Sequence, residues 1–420
     1  MERRHFLSAL TAACTWALSP HHRIDARTLN HLKDDPRFWA LVRKQFAFPE
    51  GYTYLNTGGI GPLPAMVRQC VKTAMDRAEI RPKPGHDMDT WLQIKEKAAR
   101  IFDCEADSLA LTGTATEGIN IIINGLPLKR EDEIITSSHE HPALNIALLN
   151  RMQRDGIVIQ TFEPDLNEGL KQIESIGRLL SRRTRLVFIS HVTCTTGQCF
   201  PIREIANLVH RHGAWLALDG AQSVGALPVS MQDIDADFYA VSGHKWLLGP
   251  RRTGILYVRP ALLDTLRPVT VGAYSDDGYD LQARTLKLHP TARRYEFATQ
   301  NEALFIGLGE AMDFIQAISI PRIWEHNRVL SETFYHGLKQ IHGIRILSPA
   351  EPEFRSSMIT FSMDRLNYRD ASAALGKMGF RVRVVSEGGL EAVRVSFHVC
   401  NGSGDVTRLL NAVETLARRA

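Results

Sequence analysis

The stretch Val241-Ser242-Gly243-His244-Lys245-Trp246-Leu247-Leu248-Gly249-Pro250 decides how the rest of the chain is read. Phe238 to Val241 just before it has the unbroken apolar character of a buried parallel strand, and Leu247 and Leu248 are apolar again. A lysine prefers water, so one held between two apolar runs needs a reason. One reading is a surface lysine that lays its stem on apolar neighbours and keeps its ammonium wet. The other is a lysine whose amine is made neutral and nucleophilic by burial, as a Schiff-base lysine requires.

Two upstream stretches favour the second reading. Ala214-Trp215-Leu216-Ala217-Leu218 reads as another buried strand and ends in Asp219-Gly220-Ala221-Gln222. An acid at the carboxyl end of such a strand sits where open α/β sheets place their ligands. The separation from Asp219 to Lys245 leaves room for one crossover and one further strand. Further up, Leu109-Ala110-Leu111 leads into Thr112-Gly113-Thr114-Ala115-Thr116-Glu117-Gly118-Ile119-Asn120. A strand, a hydroxyl-rich turn and a helix start make a natural phosphate cradle. Cradle, buried acid and buried lysine together meet the needs of pyridoxal phosphate, whose ring acts as an electron sink when an acid keeps its nitrogen protonated.

The motifs TATEGIN, EHPALN, SHVTCTTG, DGAQSVG, SGHKWLLGP, TGILYVRP and RVSFHVCN run in order from Thr114 to Asn401. In sequence and spacing the chain resembles the class V aminotransferase family of pyridoxal-phosphate enzymes, and most of all its isopenicillin N epimerase-like and cysteine desulfurase-like members. The resemblance implies an α/β architecture of fold type I. A mainly parallel doubly wound sheet would form a large domain over residues 50–295. Residues 21–49 and 296–420 would form a smaller α+β domain with an interdomain helix. It also implies pyridoxal 5'-phosphate as cofactor, carried on Lys245. Ala115, Thr116, Ser242 and His244 would hold its phosphate, Asp219 its pyridine nitrogen and Gln222 its phenolic oxygen. His141 would stack on the ring and relay protons, and Arg394 would clamp a substrate α-carboxylate. Thr299 would reach the phosphate of a neighbouring subunit, which makes a homodimer with a shared active site the expected unit.

The departures from the family pattern narrow the reading. Cysteine desulfurases carry a loop cysteine shortly before the carboxylate arginine, yet Gly379 to Val393 contains none. Cys400 lies on the wrong side of Arg394, and a desulfurase that forms a persulfide on its own loop is disfavoured. Cys194 stands where relatives have a small polar residue, and reads as a lining residue. Epimerisation, transamination and elimination at an amino acid or peptide-like amino acid all use the same residues. The label that fits best is isopenicillin N epimerase-like, with aminotransferase or C–S lyase as alternatives. A non-catalytic binding protein of this fold would have lost Lys245 or Asp219, and both are present.

Bulk composition agrees with a soluble-type enzyme. Across 420 residues, 44% are apolar and 23% charged, with 50 basic against 46 acidic residues. That balance argues against a nucleic-acid surface. Six cysteines in so long a chain make no disulfide framework, and Cys194 and Cys199 lack a second pair for zinc, so no metal is expected. Residues 1–20 contain Arg3-Arg4-His5-Phe6-Leu7 and a weakly apolar run up to Leu18, which resembles a twin-arginine export signal and implies a periplasmic location. The run is too short for a stable membrane span, and the alternative is a loose helix on a cytoplasmic enzyme. A helix is expected from His31 to Phe48 and another from Ile323 to Ile341, half-buried strands at 357–361 and 393–397, and a surface loop at 273–280.

Overall fold

The computed structural model describes residues 37–83, 85 and 87–419. The twin-arginine segment lies outside the described residues, as does the start of the helix expected from His31. Within the described residues that helix is Phe38–Arg43 and it stops before Phe48, with residues 44–48 in turn and coil. Strand β1 (Thr53–Tyr54) follows.

Seven strands build the main sheet: β2 (Leu109–Thr112), β3 (Glu133–Ser137), β4 (Val158–Phe162), β5 (Thr184–Ser190), β6 (Trp215–Asp219), β7 (Phe238–Ser242) and β8 (Gly254–Val258). Their order is β2-β8-β7-β6-β5-β3-β4. The pairs from β4 to β7 are all parallel, while β8 runs antiparallel to both β2 and β7. Side chains alternate between two cores, as a strand's period of two requires. On β7, Tyr239 and Val241 enter one core and Phe238 and Ala240 the other. Each buried Leu, Ile or Phe adds roughly 1.5–3 kcal/mol by leaving water. Both faces are therefore covered, which is the doubly wound arrangement.

Punctuation in the sequence sets the crossovers. Pro201 precedes the helix Ile202–Arg211, and Gly213 follows it at φ +79°, a backbone state that glycine adopts without strain. His141 caps the helix Pro142–Asp155, with Pro142 at its first position and Gly156 closing it at φ 72°.

The segment 273–280 is polar and mostly exposed as expected, with Ser275 buried, but only 273–275 is turn and the rest is strand. Strand β9 (Asp276–Asp280) pairs antiparallel with β10 (Thr285–Leu288) in an exposed hairpin. The Asp280 carboxylate turns the chain by accepting from the Gln282 and Ala283 N–H groups at 2.8 and 2.9 Å. Polarity predicted the exposure but said nothing about local backbone pairing.

The C-terminal sheet comprises β11 (Ile344–Ile346), β12 (Met358–Met363), β14 (Arg383–Val385) and β15 (Ala392–Ser396), in the order β11-β12-β15-β14 and antiparallel throughout. Its helix Ile320–Leu338 is separated from the preceding Glu302–Ile318 by a break at Ser319, φ 79°. Strand β1 pairs in parallel with β13 (Phe380–Arg381), and Asn56 bridges to Ser396. Leu55 is buried with Phe334, Phe361 and Phe397 in the C-terminal core. Residues 53–56 are thus joined to the C-terminal sheet and bring the turn Thr57–Pro62 to the cleft. Among the described residues no single helix is long and apolar enough to cross a membrane.

Candidate active site

The cleft opens at the carboxyl ends of β5, β6 and β7. Asp219 ends β6, with Ser190 of β5 and Ala240 of β7 as its register partners. It is buried, and its Oδ1 accepts the Ala221 N–H at 2.9 Å. Oδ2 has no hydrogen-bond partner among the described residues. Beside it Glu140 is fully buried, accepting from Ser137 Oγ at 2.6 Å, Ser190 N at 3.1 Å and Ser190 Oγ at 2.5 Å. Burial pushes the Glu140 carboxyl up to about 7; the serine hydrogen bonds pull against this, and the Asp219 charge adds to it.

Lys245 follows β7 on a tight turn and is half-buried. Burial lowers its amine, with Arg394 and Arg383 acting the same way and Asp219 and Cys194 opposing. Nζ makes no hydrogen bond or ion pair among the described residues. A downward shift is the direction that a nucleophilic amine needs. Two glycines let the chain close on this turn. Gly61 donates its N–H to the His244 carbonyl at 2.7 Å, and a Cβ on it would lie 2.0 Å from the Lys245 carbonyl oxygen. A Cβ on Gly58 would meet Met358 Sδ at 2.9 Å and both Arg394 Nη2 and Gln222 Oε1 at 3.0 Å.

The turn after β2 supplies backbone N–H groups at the start of the helix Ala115–Gly125. Thr114 is its N-cap, accepting from Glu117 N at 3.2 Å, so the capping threonine is Thr114 and leaves the exposed Thr116 hydroxyl free of that task. The Ala115 N–H donates to Ser242 Oγ at 3.1 Å, which joins the helix start to the end of β7. His244 is half-buried nearby. Burial, then the charges of Lys245 and Arg251, push its imidazole down to about 4, and its buried Nδ1 has no partner. Gln222 accepts from Trp246 Nε1 at 2.8 Å and donates to the Gly58 carbonyl at 2.9 Å, keeping one N–H in reserve.

The small sheet supplies the opposite wall. Arg394 on β15 is fully buried and has no acidic partner among the described residues. Its Nη1 donates to the Cys194 carbonyl and its Nη2 to Asn56 Oδ1 at 3.3 Å, while Nε is unpaired. Burial pushes this guanidinium down, and the neighbouring Arg383 adds to the effect. Arg383 lies directly opposite Arg394 in the β14–β15 register, donates to the same Cys194 carbonyl at 3.2 Å, and pairs with Glu387. The Cys194 thiol is buried and held high by burial, which leaves it a lining group.

His141 accepts the Ala143 N–H on Nδ1 at 3.1 Å. Burial and the Lys245 charge lower its imidazole, with Asp219 opposing, so it stands within electrostatic reach of both. Thr299 is exposed, just after Ala298 at φ 57°, and makes no hydrogen bond to the other site residues among the described residues. The structure therefore gathers Lys245, Asp219, Gln222, Ser242, His244, His141, Ala115 and Arg394 and leaves Thr299 on the surface. It also adds Arg383, Glu387, Asn56 and Glu140, which sequence reasoning did not single out. In sequence Arg383 alternates with Arg381, the one signal available for it, but the two end and begin different strands, β13 and β14.

The donor set fits pyridoxal phosphate. Helix-start N–H groups with Ser242 and an unpartnered His244 nitrogen suit a phosphate. A buried carboxylate with a free oxygen suits a protonated ring nitrogen, and an unpartnered, half-buried lysine suits a Schiff base. Floor, cradle and arginine wall define a pyridoxal-phosphate enzyme of fold type I. The family described as aminotransferase class-V matches residues 85–409, and the chain belongs to that family. A cysteine desulfurase from Shigella sonnei is 31% identical over 338 residues, covering 77% of this chain and 82% of that one. A lysine mutant of C-DES with glycine covalently linked to its pyridoxal-phosphate cofactor superposes with a TM-score of 0.82 at 25% identity, over 89% of this chain and 98% of that one. The cystine C–S lyase C-DES in complex with its product cysteine persulfide gives 0.81 at 25% identity, over 87% and 98%.

Proposed function

We propose that this enzyme is a C–S lyase that eliminates a sulfur leaving group from the β-carbon of an L-α-amino acid, without a sulfur-accepting cysteine of its own. The observation that carries the amino-acid part is Arg394, a buried guanidinium with no acid partner among the described residues that is wedged between Asn56 and the Gly58 turn. A buried charge of this kind is tolerable when a ligand carboxylate completes it, and a planar fork suits a carboxylate. The names of the similar proteins support the sulfur chemistry. The absence of cysteine from Gly379 to Val393 supports release of the leaving group rather than its capture.

Pyridoxal phosphate, when bound, supplies the electron sink for charge developing at the substrate α-carbon. Lys245 would carry it, Ser242, His244 and the Ala115 and Thr116 N–H groups would hold its phosphate, and Asp219 and Gln222 would hold its ring. Arg394 fixes the substrate carboxylate, and Lys245, lowered by burial, takes the α-proton. The C–S electron pair then leaves with sulfur. His141, its imidazole lowered by burial and by the Lys245 charge, would stack on the ring and relay protons. Thr299, exposed in one chain, would meet a second copy in a homodimer, which sedimentation would test. The Arg3-Arg4 segment would direct export, and retention of an Arg3→Lys, Arg4→Lys variant in the cytoplasm would test that.

The deciding experiment incubates the loaded enzyme with L-cystine, L-cysteine and sulfur-free amino acids and measures every product. Pyruvate and ammonia in equal amounts, matched by sulfide from cysteine or by cysteine persulfide from cystine, support the lyase. A change of chirality at the α-carbon with the side chain intact would instead make it an epimerase. A keto acid retaining the whole side chain would make it an aminotransferase.

A further inference from the structure

Beneath the Asp219 strand end lies a polar triad that the chemistry above does not use: His191 after β5, Ser223 on the turn after β6, and Tyr239 on β7. Tyr239 and Ser223 are fully buried and His191 nearly so. Phe102 meets the Tyr239 ring edge-on, and Leu218 and Val241 share its core, so the surroundings are largely apolar. Tyr239 Oη stands 2.6 Å from His191 Nδ1 and 2.5 Å from Ser223 Oγ, and Ser223 Oγ donates to the Gly220 carbonyl at 2.9 Å.

Counting protons gives this chain a direction. The Gly220 carbonyl can only accept, so the serine directs its one proton there. Tyr239 must then donate to Ser223, and His191 Nδ1 must donate to Tyr239. No other distribution makes all three hydrogen bonds. Burial pushes the His191 imidazole down to about 4, so it holds a single proton. Burial raises the Tyr239 phenol, with the Ser223 hydrogen bond opposing and the Asp219 charge adding to it. The chain is therefore neutral, and it sets no cation beside Asp219 to compete with a protonated ring nitrogen.

The chain ends on the peptide that braces the carboxylate. The Gly220 carbonyl and the Ala221 N–H belong to one rigid peptide plane, and that N–H is the donor to Asp219 Oδ1 at 2.9 Å. Fixing the carbonyl therefore fixes the donor, and a hydrogen bond accepted at C=O polarises the N–H across the plane. The peptide before it is held as well. His191 N donates to the Asp219 carbonyl at 3.0 Å, and Gly220 N to the Ala240 carbonyl at 2.8 Å. The Tyr239 ring closes off the remaining space, since a Cβ on Gly220 would lie 1.8 Å from its Cε1.

We propose that Tyr239, acting through Ser223, is a positioning residue for Asp219: the chain fixes the Gly220–Ala221 peptide, and so sets the direction in which Oδ2 is offered to the ring nitrogen of the cofactor. Hydrogen bonds weaken steeply with misalignment, so a small rotation of this peptide is felt at the carboxylate.

The test reads cofactor retention and no reaction, so its outcome is separate from that of the lyase reading. The full chain is loaded with pyridoxal 5'-phosphate or with its 1-deaza analogue, in which a C–H replaces the ring nitrogen. Release of each is then timed after dilution by the loss of bound absorbance. Wild type releases the analogue about tenfold faster or more, the scale of a charge-assisted hydrogen bond. Tyr239→Phe and Ser223→Ala each cut that ratio to about threefold or less by hastening release of the natural cofactor, while the analogue stays within about twofold of wild type. Ser223→Thr keeps the hydroxyl and keeps the ratio. A ratio that survives both deletions would overturn the proposal. Equal acceleration for both cofactors would also overturn it, by making the triad a support of the fold rather than of Asp219. So would a wild type that releases the two cofactors at the same rate.

Discussion

The large sheet presents Asp219 and Glu140 to the cleft, buried acids at parallel strand ends, whereas the small sheet presents Arg394 and Arg383, paired cations on antiparallel strands. The first wall is satisfied at Glu140 but leaves Asp219 Oδ2, Lys245 Nζ and His244 Nδ1 unpartnered among the described residues. Glu140 receives three hydrogen bonds from two serines, and Asp219 is braced by Ala221. The second wall is short of anions, since Arg394 has only neutral oxygens as partners. A wall with several unpartnered groups of different chemistry suits a resident cofactor, and a wall short of one negative charge suits a carboxylate that comes and goes.

The sharpest way to break this division is at Lys245. Lys245→Ala should keep the fold and lower turnover by about 10³-fold or more, the scale of a lost catalytic base that also anchors the cofactor. Borohydride should no longer fix cofactor to the chain; a mutant still labelled on reduction would place the anchor elsewhere.

Arg394→Ala should weaken α-amino acid binding by about ten- to a hundredfold, or roughly 1.4–2.8 kcal/mol, and leave cofactor absorbance unchanged. Comparing an amino acid with its decarboxylated amine isolates the effect. Equal losses for both would make Arg394 a structural cation and erase the contrast between the walls.

Glu140 tests the other wall through pH. Its carboxyl is raised in the fold from 4.5 to about 7. Between those values the folded state holds a proton that the unfolded state has released, so stability falls as pH rises through the window and levels off above it. Glu140→Gln cannot titrate and should remove a loss on the order of 1–3 kcal/mol between pH 5 and pH 8. Identical urea-unfolding profiles across that range for mutant and wild type would mean that Glu140 is not held protonated.

The smallest effect is expected at the cradle. Ser242→Ala deletes the acceptor of one backbone N–H, and should weaken cofactor retention by several-fold, on the order of 1 kcal/mol. No change in cofactor dissociation would remove Ser242 from the cradle.

Much of the first wall was legible in sequence because its signals are local. Lys245 and Asp219 each end an apolar run, and burial at a strand end can be read from neighbouring residues. Arg394 could be placed only through the family resemblance; the alternation at 393–397 suggested a half-buried strand, whereas β15 is buried at every position because both its faces are covered. The Arg383–Glu387 pair resisted reading, since short charged stretches usually belong to solvated faces and only the cross-strand register brings Arg383 to Arg394. Asn56 lies 338 positions from Arg394, beyond any local pattern. The hairpin of β9 and β10 escaped for a different reason: exposed polar residues leave no periodic trace of backbone pairing.

The parallel pairing of β1 with β13 sets an order of assembly. Thr53 pairs with Phe380, a separation of 380 − 53 = 327 residues. During synthesis a chain emerges from its N-terminus, and long-range pairing waits for both partners. All seven strands of the main sheet, and with them Asp219, Ser242 and Lys245, have been made by residue 258. Asn56 and Gly58 can take their places beside Arg394 only after more than a hundred further residues have been translated. The wall for the cofactor is thus available on the ribosome well before the wall for the substrate exists.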